Sequence, residues 1–247
     1  MKFTTFLINI EHATERRQQM DEQLARLDIP YTLISATQGD LLSDPIEGFD
    51  DIGFKIRTGK YRNKREIGCY FSHVNALKAF LKTSSDYALI LEDDALLPDN
   101  LVPLIHSAID SSTPWNLLRL SSTREGKYID LEALIDGHKL VIDTRVLKST
   151  AAYMVSRHAA QRYLDRLLPM RWPYDVALDR DWSIGICTAC AYPFQVALTN
   201  TTSQIPRSPR IRILRGTTFH MIHLIDHLRR IFYRNQMAGK CKSATRQ

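Results

Sequence analysis

No apolar run in this 247-residue chain approaches the roughly 20 residues that a membrane-spanning helix needs. Cysteine is scarce. Cys69, Cys187, Cys190 and Cys241 are too few and too scattered for a disulfide framework, and a reducing, cytosolic location is the expectation that follows. Cys187 and Cys190 have the C-x-x-C spacing, but no second pair or nearby His pair accompanies them. Their neighbours Ile184, Ile186, Ala191 and Tyr192 describe a buried strand, so two buried free thiols are expected there rather than a zinc or redox site. A phosphate-binding G-x-x-x-x-G-K-[ST] loop, a G-x-G-x-x-G fingerprint, a G-x-S-x-G elbow and internal repeats are all missing. P-loop NTPases, the usual dinucleotide enzymes and α/β-hydrolases are therefore not first choices. The first ten residues, Met-Lys-Phe-Thr-Thr-Phe-Leu-Ile-Asn-Ile, lack a small-residue cleavage site and read as a strand rather than a signal peptide.

With 44% hydrophobic residues, the chain can bury a sizeable core in one large α/β domain, or in one domain plus a tail. The net charge of +6 is unevenly placed. Residues 201–247 hold ten Lys or Arg against the single acid Asp226, which leaves the rest of the chain at −3. Basicity is thus a property of the tail. We read residues 1–200 as the main domain and 201–247 as a basic helical tail.

The strongest local signal is Tyr-Ala-Leu-Ile-Leu-Glu-Asp-Asp at 87–94. Five apolar or aromatic residues in a row suit a strand covered on both faces, and three carboxylates follow at once. Ligands of open α/β sheets bind beyond the carboxyl ends of the strands. Adjacent carboxylates repel unless a cation or donors sit between them. Hard divalent ions take carboxylate and phosphate oxygens together. Glu92, Asp93 and Asp94 therefore read either as a metal–diphosphate site or as a solvated acidic turn before the helix that starts near Pro98. The preceding strand favours the site.

In chain order, residues 3–10 form a first strand ending near Asn9. A helix follows, with Met20, Leu24 and Leu27 on one face and Arg16 and Arg17 in its first turn. Cations are unfavourable at a helix start, so these two arginines serve an anion or are simply solvated. Ile29-Pro30 stops the helix, and residues 31–35 form a strand reached by a right-handed crossover. Residues 37–65 are polar, acidic and then basic, and a mobile flap is expected. Residues 66–80 are helical and carry Ser72 and His73, the histidine read by default as a structural, hydrogen-bonded residue. Further strands are expected over 116–120, 139–147 and 151–155, and helices over 101–109 and 158–168. Asp175, between aromatic and proline residues, suits a partly desolvated base in a sugar cleft or a helix cap, and the two roles are compatible. Asp179 and Asp181 are the alternates.

Residues 219–233 place Met221, Leu224, Ile225, Leu228, Ile231 and Phe232 on one helical face. Arg229, Arg230 and Arg234 lie near its end and Arg207, Arg210, Arg212 and Arg215 upstream. Such a segment, 219–234, either lies in an anionic membrane interface or docks on the protein's own core. It is read as facing lipid, not nucleic acid. His220, His223 and His227 would reach the acidic loop only if the segment folds back.

Three stretches in order, Phe-Leu-Ile-Asn-Ile with Thr-Glu-Arg-Arg, then Arg-Glu-Ile-Gly-Cys-Tyr-Phe-Ser-His at 65–73, then Ala-Leu-Ile-Leu-Glu-Asp-Asp at 88–94, closely resemble glycosyltransferase family 25. Beyond residue 120 the likeness is looser, with Pro-Tyr-Asp at 173–175 its best anchor. The resemblance implies a GT-A-type α/β domain with a central, mostly parallel sheet and a UDP-sugar donor, commonly UDP-galactose. It also implies a Mn2+- or Mg2+-assisted reaction with inversion, and a lipid-linked lipooligosaccharide or lipopolysaccharide acceptor at the inner face of the cytoplasmic membrane. On that reading Glu92 and Asp94 hold the metal, and Asp93, Asn9, Arg16, Arg17, Glu66 and His73 belong to the donor site. Asp175 and Asp94 carry catalysis. The rival classes are a metal-dependent phosphoester hydrolase, which would want further ligands for a second metal, and a non-catalytic sugar-nucleotide-binding protein.

Overall fold

The computed structural model describes residues 2–199, 206 and 208–244. Arg207 and Arg246 of the basic tail lie outside them. The helices are α1 (Thr14–Arg26), α2 (Asp51–Thr58), α3 (Lys64–Leu81), α4 (Leu101–Ile109), α5 (Arg157–Leu167), α6 (Tyr174–Leu178), the short α7 (Arg212–Leu214) and α8 (His220–Ala244). The strands are β1 (Phe3–Asn9), β2 (Tyr31–Ser35), β3 (Tyr87–Glu92), β4 (Ala95–Leu96), β5 (Leu117–Arg119), β6 (Tyr128–Ala133), β7 (Lys139–Asp143), β8 (Ala152–Ser156), β9 (Thr188–Tyr192) and β10 (Ala197–Leu198).

Eight strands form one sheet in the order β2-β1-β3-β8-β5-β9-β7-β6, and β10 pairs with β4 apart from it. Strands β2, β1, β3, β5, β9 and β6 point one way, and β8 and β7 the other. The chain is thus mixed α/β around a large, mostly parallel sheet. The apolar run of β3 has its explanation in the two layers: Ala88 and Ile90 face α3 and α5, whereas Leu89 and Leu91 face α1 and α4. Buried on both sides, this strand has no polar face to alternate with.

The stretch 37–65 is not a structureless flap. Asp50 caps α2 by accepting from the Gly53 amide at 2.7 Å, Phe54 is fully buried, and Gly59 ends the helix at φ +61°. The acid-then-base pattern is in part an i,i+4 pair, Lys55 to Asp51 at 2.7 Å. Strand β6, at the sheet edge, was not foreseen either, although Ile129, Leu131 and Ala133 alternate with Asp130 and Glu132 as a one-face-buried strand does.

The C-terminal helix α8 docks on the body through its charged face. Arg234 is 1% exposed and meets Asp181 Oδ2 at 3.0 Å and Asp179 Oδ1 at 2.8 Å; Arg230 Nε lies 2.9 Å from Asp179 Oδ2. Arg180 pairs with Asp226. The reading that put Arg230 and Arg234 beside lipid is corrected: two carboxylates buried at the end of α6 need counter-charge, and these arginines supply it. The apolar residues Met221, Leu224, Ile225, Leu228 and Phe232 face outward, Phe232 at 75% exposure. No helix among the described residues is long and apolar enough to cross a membrane.

Candidate active site

The parallel register sets Ile8 of β1 beside Glu92 of β3, so both strands end at the same sheet edge. Asn9 Nδ2 donates to Asp93 Oδ2 at 2.7 Å and to the Ala13 carbonyl at 3.2 Å. Arg16 reaches Asp93 Oδ1 at 2.6 Å. Asp93 thereby ties the acidic loop to the start of α1, which explains why a cation sits in that first turn. Burial holds its pKa above the ordinary value, although Arg16 and Asn9 oppose the rise. Arg17 is not part of this group. It is half exposed and lies 4.0 Å from Asp21.

Glu92 faces inward. His73 Nε2 lies 3.1 Å from Glu92 Oε1, and the Thr150 hydroxyl donates to the same oxygen. Burial opposes ionisation of Glu92, but His73 and Thr150, with Arg16, outweigh it and hold the pKa below the usual glutamate range. His73 is fully buried, 3.2 Å from the Tyr153 hydroxyl and stacked on Tyr174 at 4.1 Å between ring centroids. The Tyr153 and Tyr174 hydroxyls are 2.9 Å apart. His73 is thus a hydrogen-bonded structural residue, and it also positions Glu92.

Asp94 is different. Its Oδ1 is buried without a partner, and burial together with Glu92 and Asp93 pushes its pKa up to about 6. This is the charge arrangement that a cation would relieve. Among the described residues no group of three or more His, Cys, Asp or Glu is gathered to hold a metal. Any ion held at Asp94 would need further ligands from a bound molecule, as Mg2+ is commonly held by one or two carboxylates plus phosphate oxygens.

These groups open into a cavity of about 340 Å³, walled by Ile8, Ile10 and Leu41 on its apolar side. Residues 36–40, next to Leu41, also line it, and this segment lies directly on α3. Close approach there depends on two glycines: a Cβ on Gly39 would sit 2.1 Å from the Lys64 carbonyl oxygen, and one on Gly68 2.4 Å from that of Thr37. The Thr37 amide donates to Ser72 Oγ at 2.9 Å.

Asp175 does not line this cavity. Its Oδ2 accepts from Lys148 Nζ at 2.8 Å, and its side chain is a quarter exposed. Glu66, on the first turn of α3, has a buried Oε2 without a partner, and burial is the main reason its pKa is raised. Cys69, which lines the cavity, has its thiol pushed up by burial and by Glu92, Asp175, Glu66 and Asp94, so all four carboxylates bear on one place. Asp179 and Asp181 are fully buried behind Arg230 and Arg234 and have no access to a substrate. Of the three tail histidines, none lines the acidic cavity; His223 packs on Phe219 and Trp172.

The strap 147–151 was missed from sequence, and it links most of these groups. Leu147 N donates to Asp179, Lys148 pairs with Asp175, the Ser149 carbonyl accepts from buried Arg119, and Thr150 donates to Glu92. Ser149 has φ +88°, an unusual conformation for a residue with a Cβ, retained where surrounding bonds over-determine it. The polar run Lys148-Ser149-Thr150 directly before an apolar strand is the only signal that could have pointed to it.

The model of glycosyltransferase family 25 (LPS biosynthesis protein) matches residues 2–178. The chain belongs to glycosyltransferase family 25. Procollagen galactosyltransferase 1-B of Xenopus laevis is 26% identical over 172 residues, which are 65% of this chain and 28% of that protein. A Bos taurus relative named probable inactive glycosyltransferase 25 family member 3 is 24% identical, covering 67% of this chain and 30% of its own length. The chain thus spans under a third of the length of these relatives. Among solved structures, a glycosyltransferase involved in glycosylation of the major capsid of PBCV-1 is matched at TM-score 0.33 and 12% identity, over 91% of this chain and 100% of that one. Family 25 thus includes a member named as probably inactive.

Proposed function

We propose that this family 25 glycosyltransferase moves galactose from UDP-galactose, with inversion, to a lipooligosaccharide or lipopolysaccharide acceptor. The observation that carries the reading is the unpartnered, buried carboxylate oxygen of Asp94 at the mouth of a nucleotide-sized cavity. Relatives named galactosyltransferases support galactose, and the family's description supports the acceptor class.

Asp94, with Glu92 behind it, would hold a Mn2+ or Mg2+ ion. Such an ion, when bound, neutralises charge on the departing diphosphate. The chain's own residues do the rest. The apolar wall of Ile8, Ile10 and Leu41 receives the uracil ring, and Arg16 adds positive charge near the phosphates. His73 and Thr150 keep Glu92 ionised and fixed in place. Asp175 accepts the proton of the acceptor hydroxyl while that oxygen bonds to the anomeric carbon and the bond to the UDP oxygen breaks. Lys148 orients the Asp175 carboxylate. A second reading gives the proton to Glu66, favoured by its raised pKa and unpartnered oxygen.

The outward stripe of α8, Met221, Leu224, Ile225, Leu228 and Phe232, with exposed Arg212 and Arg229 beside it, supports attachment to an anionic membrane surface. We place the protein peripherally on the inner face of the cytoplasmic membrane, where a lipid-linked acceptor is met.

Turnover of UDP-galactose with Mn2+, with and without a lipooligosaccharide acceptor, tests the reading. Acceptor-dependent UDP release is expected. Equal release without acceptor would identify a hydrolase, and donor binding without release would identify a binding protein.

A further inference from the structure

A second cavity, of about 300 Å³, opens between the end of α2, the strap 147–151, the start of α6 and the inner side of the α7–α8 segment. Five cations line it: Lys60, Arg124, Lys148, Arg215 and Arg230. Among the described residues Asp226 is its only acid. Most of the available carboxylates are already engaged. Asp226 answers Arg180, Asp175 answers Lys148, and Asp179 answers Arg230. Among the described residues Lys60, Arg124 and Arg215 form no ion pair. A concave wall with three uncompensated cations focuses positive potential, and it is stabilised by an anion that they can share. The space is several times that of a single water, so a bare anion leaves it mostly unfilled. Trp172 and Phe219 line the same wall, already covered by Arg180 at 4.7 Å and by Arg215 at 3.9 Å, so Phe219 holds the Arg215 guanidinium at the cavity without neutralising it.

We propose that this cavity binds an anionic sugar, one carrying a phosphate or a carboxylate group. It adjoins the group taken as the base, because Lys148 lines the cavity and holds Asp175 Oδ2 at 2.8 Å. Lys60 and Lys148 also bear on Glu66, the other candidate. The sugar held here is therefore the part of the acceptor next to the hydroxyl that reacts. Assigning it to the acceptor rests on the transferase reading; the binding itself does not.

Calorimetric titration of the full chain tests the site. The ligands are glucose 6-phosphate, glucuronate, glucose and inorganic phosphate, with UDP plus Mn2+ titrated separately. A charged sugar is expected to bind about tenfold or more tightly than glucose and than phosphate, a margin typical of charge-assisted hydrogen bonds. Which charged sugar wins identifies the group. The combined variant Lys60→Gln/Arg124→Gln is expected to lose about tenfold of that affinity, with UDP binding within about twofold of the parent. Arg124 is exposed, so Arg124→Gln alone gives the same direction of change should the combined variant fail to fold. Equal binding of glucose and the charged sugars overturns the proposal. A parallel fall in UDP affinity also overturns it, because the cavity would then belong to the donor. Anionic sugar binding without any UDP binding leaves the site standing and refutes the transferase reading instead.

Discussion

Replacing Asp94 by Asn should stabilise the ligand-free protein while abolishing its function. Asp94 is pushed up to about 6 by burial and by the neighbouring Glu92 and Asp93. An acid whose pKa is higher folded than unfolded binds its proton more tightly in the folded state. Its favourable contribution is present below the unfolded pKa near 4 and is lost as pH rises through about 6. At about pH 8 the charge therefore opposes folding. About two pKa units correspond to at most roughly 3 kcal/mol, and partial exposure reduces this to about 1–3 kcal/mol. For a chain of this size the melting temperature should rise by roughly 2–10 °C on Asp94→Asn. The difference should shrink as the buffer is taken from about pH 8 towards pH 4. Adding Mn2+ and UDP should reverse the order, because ligand at about 1,000 times its Kd stabilises the parent by about 4.1 kcal/mol and the variant, lacking the carboxylate, gains little. Melting curves at several pH values, with and without Mn2+ and UDP, check each point. A variant that melts lower than the parent near pH 8, or that keeps Mn2+-dependent turnover, refutes the assignment.

Asp175→Asn should slow the chemical step by about 10²-fold or more with UDP affinity nearly unchanged. Single-turnover rates compared with Glu66→Gln decide between the two bases, since only the true base should show this split. Arg234→Met removes counter-charge from Asp179 and Asp181 and should cost about 3–5 kcal/mol in denaturant unfolding, the usual penalty for stranding a buried charge. A loss under about 1 kcal/mol would mean that the docked face of α8 is not held by these pairs. For the membrane reading, the full chain should co-sediment with anionic vesicles, and Leu224→Glu/Phe232→Glu should not, at an unchanged melting temperature. Binding that persists in the double variant would show that the outward stripe is not the contact.

Much of the sheet edge was legible in the chain itself. The apolar run 87–91 required a strand covered on both faces, and Glu92-Asp93-Asp94 directly after it had to emerge at that strand's end. The short β1–α1–β2 unit likewise required β2 to run parallel to β1; that β3 lies on the other side of β1, which brings Asn9 and Arg16 beside the acidic loop, came from the tertiary structure. These are local consequences of period, length and turn chemistry. The helix α2 was also local, with an Asp cap and a left-handed Gly, but its polar composition hid it.

The division of labour among the carboxylates came only from tertiary structure. Glu92 is occupied because His73 and Thr150, 19 and 58 residues away in sequence, converge on one of its oxygens. Asp94 is left over. Asp179 and Asp181 look as suitable as Asp175 in the chain, yet two arginines more than 50 residues later neutralise and bury them. Those same arginines turned α8 over, so that its apolar face points outward. Hydrophobic period reports which residues of a helix share a face, but not which face meets the body. That is decided by the cost of leaving two buried carboxylates unpaired, and no local pattern carries that cost.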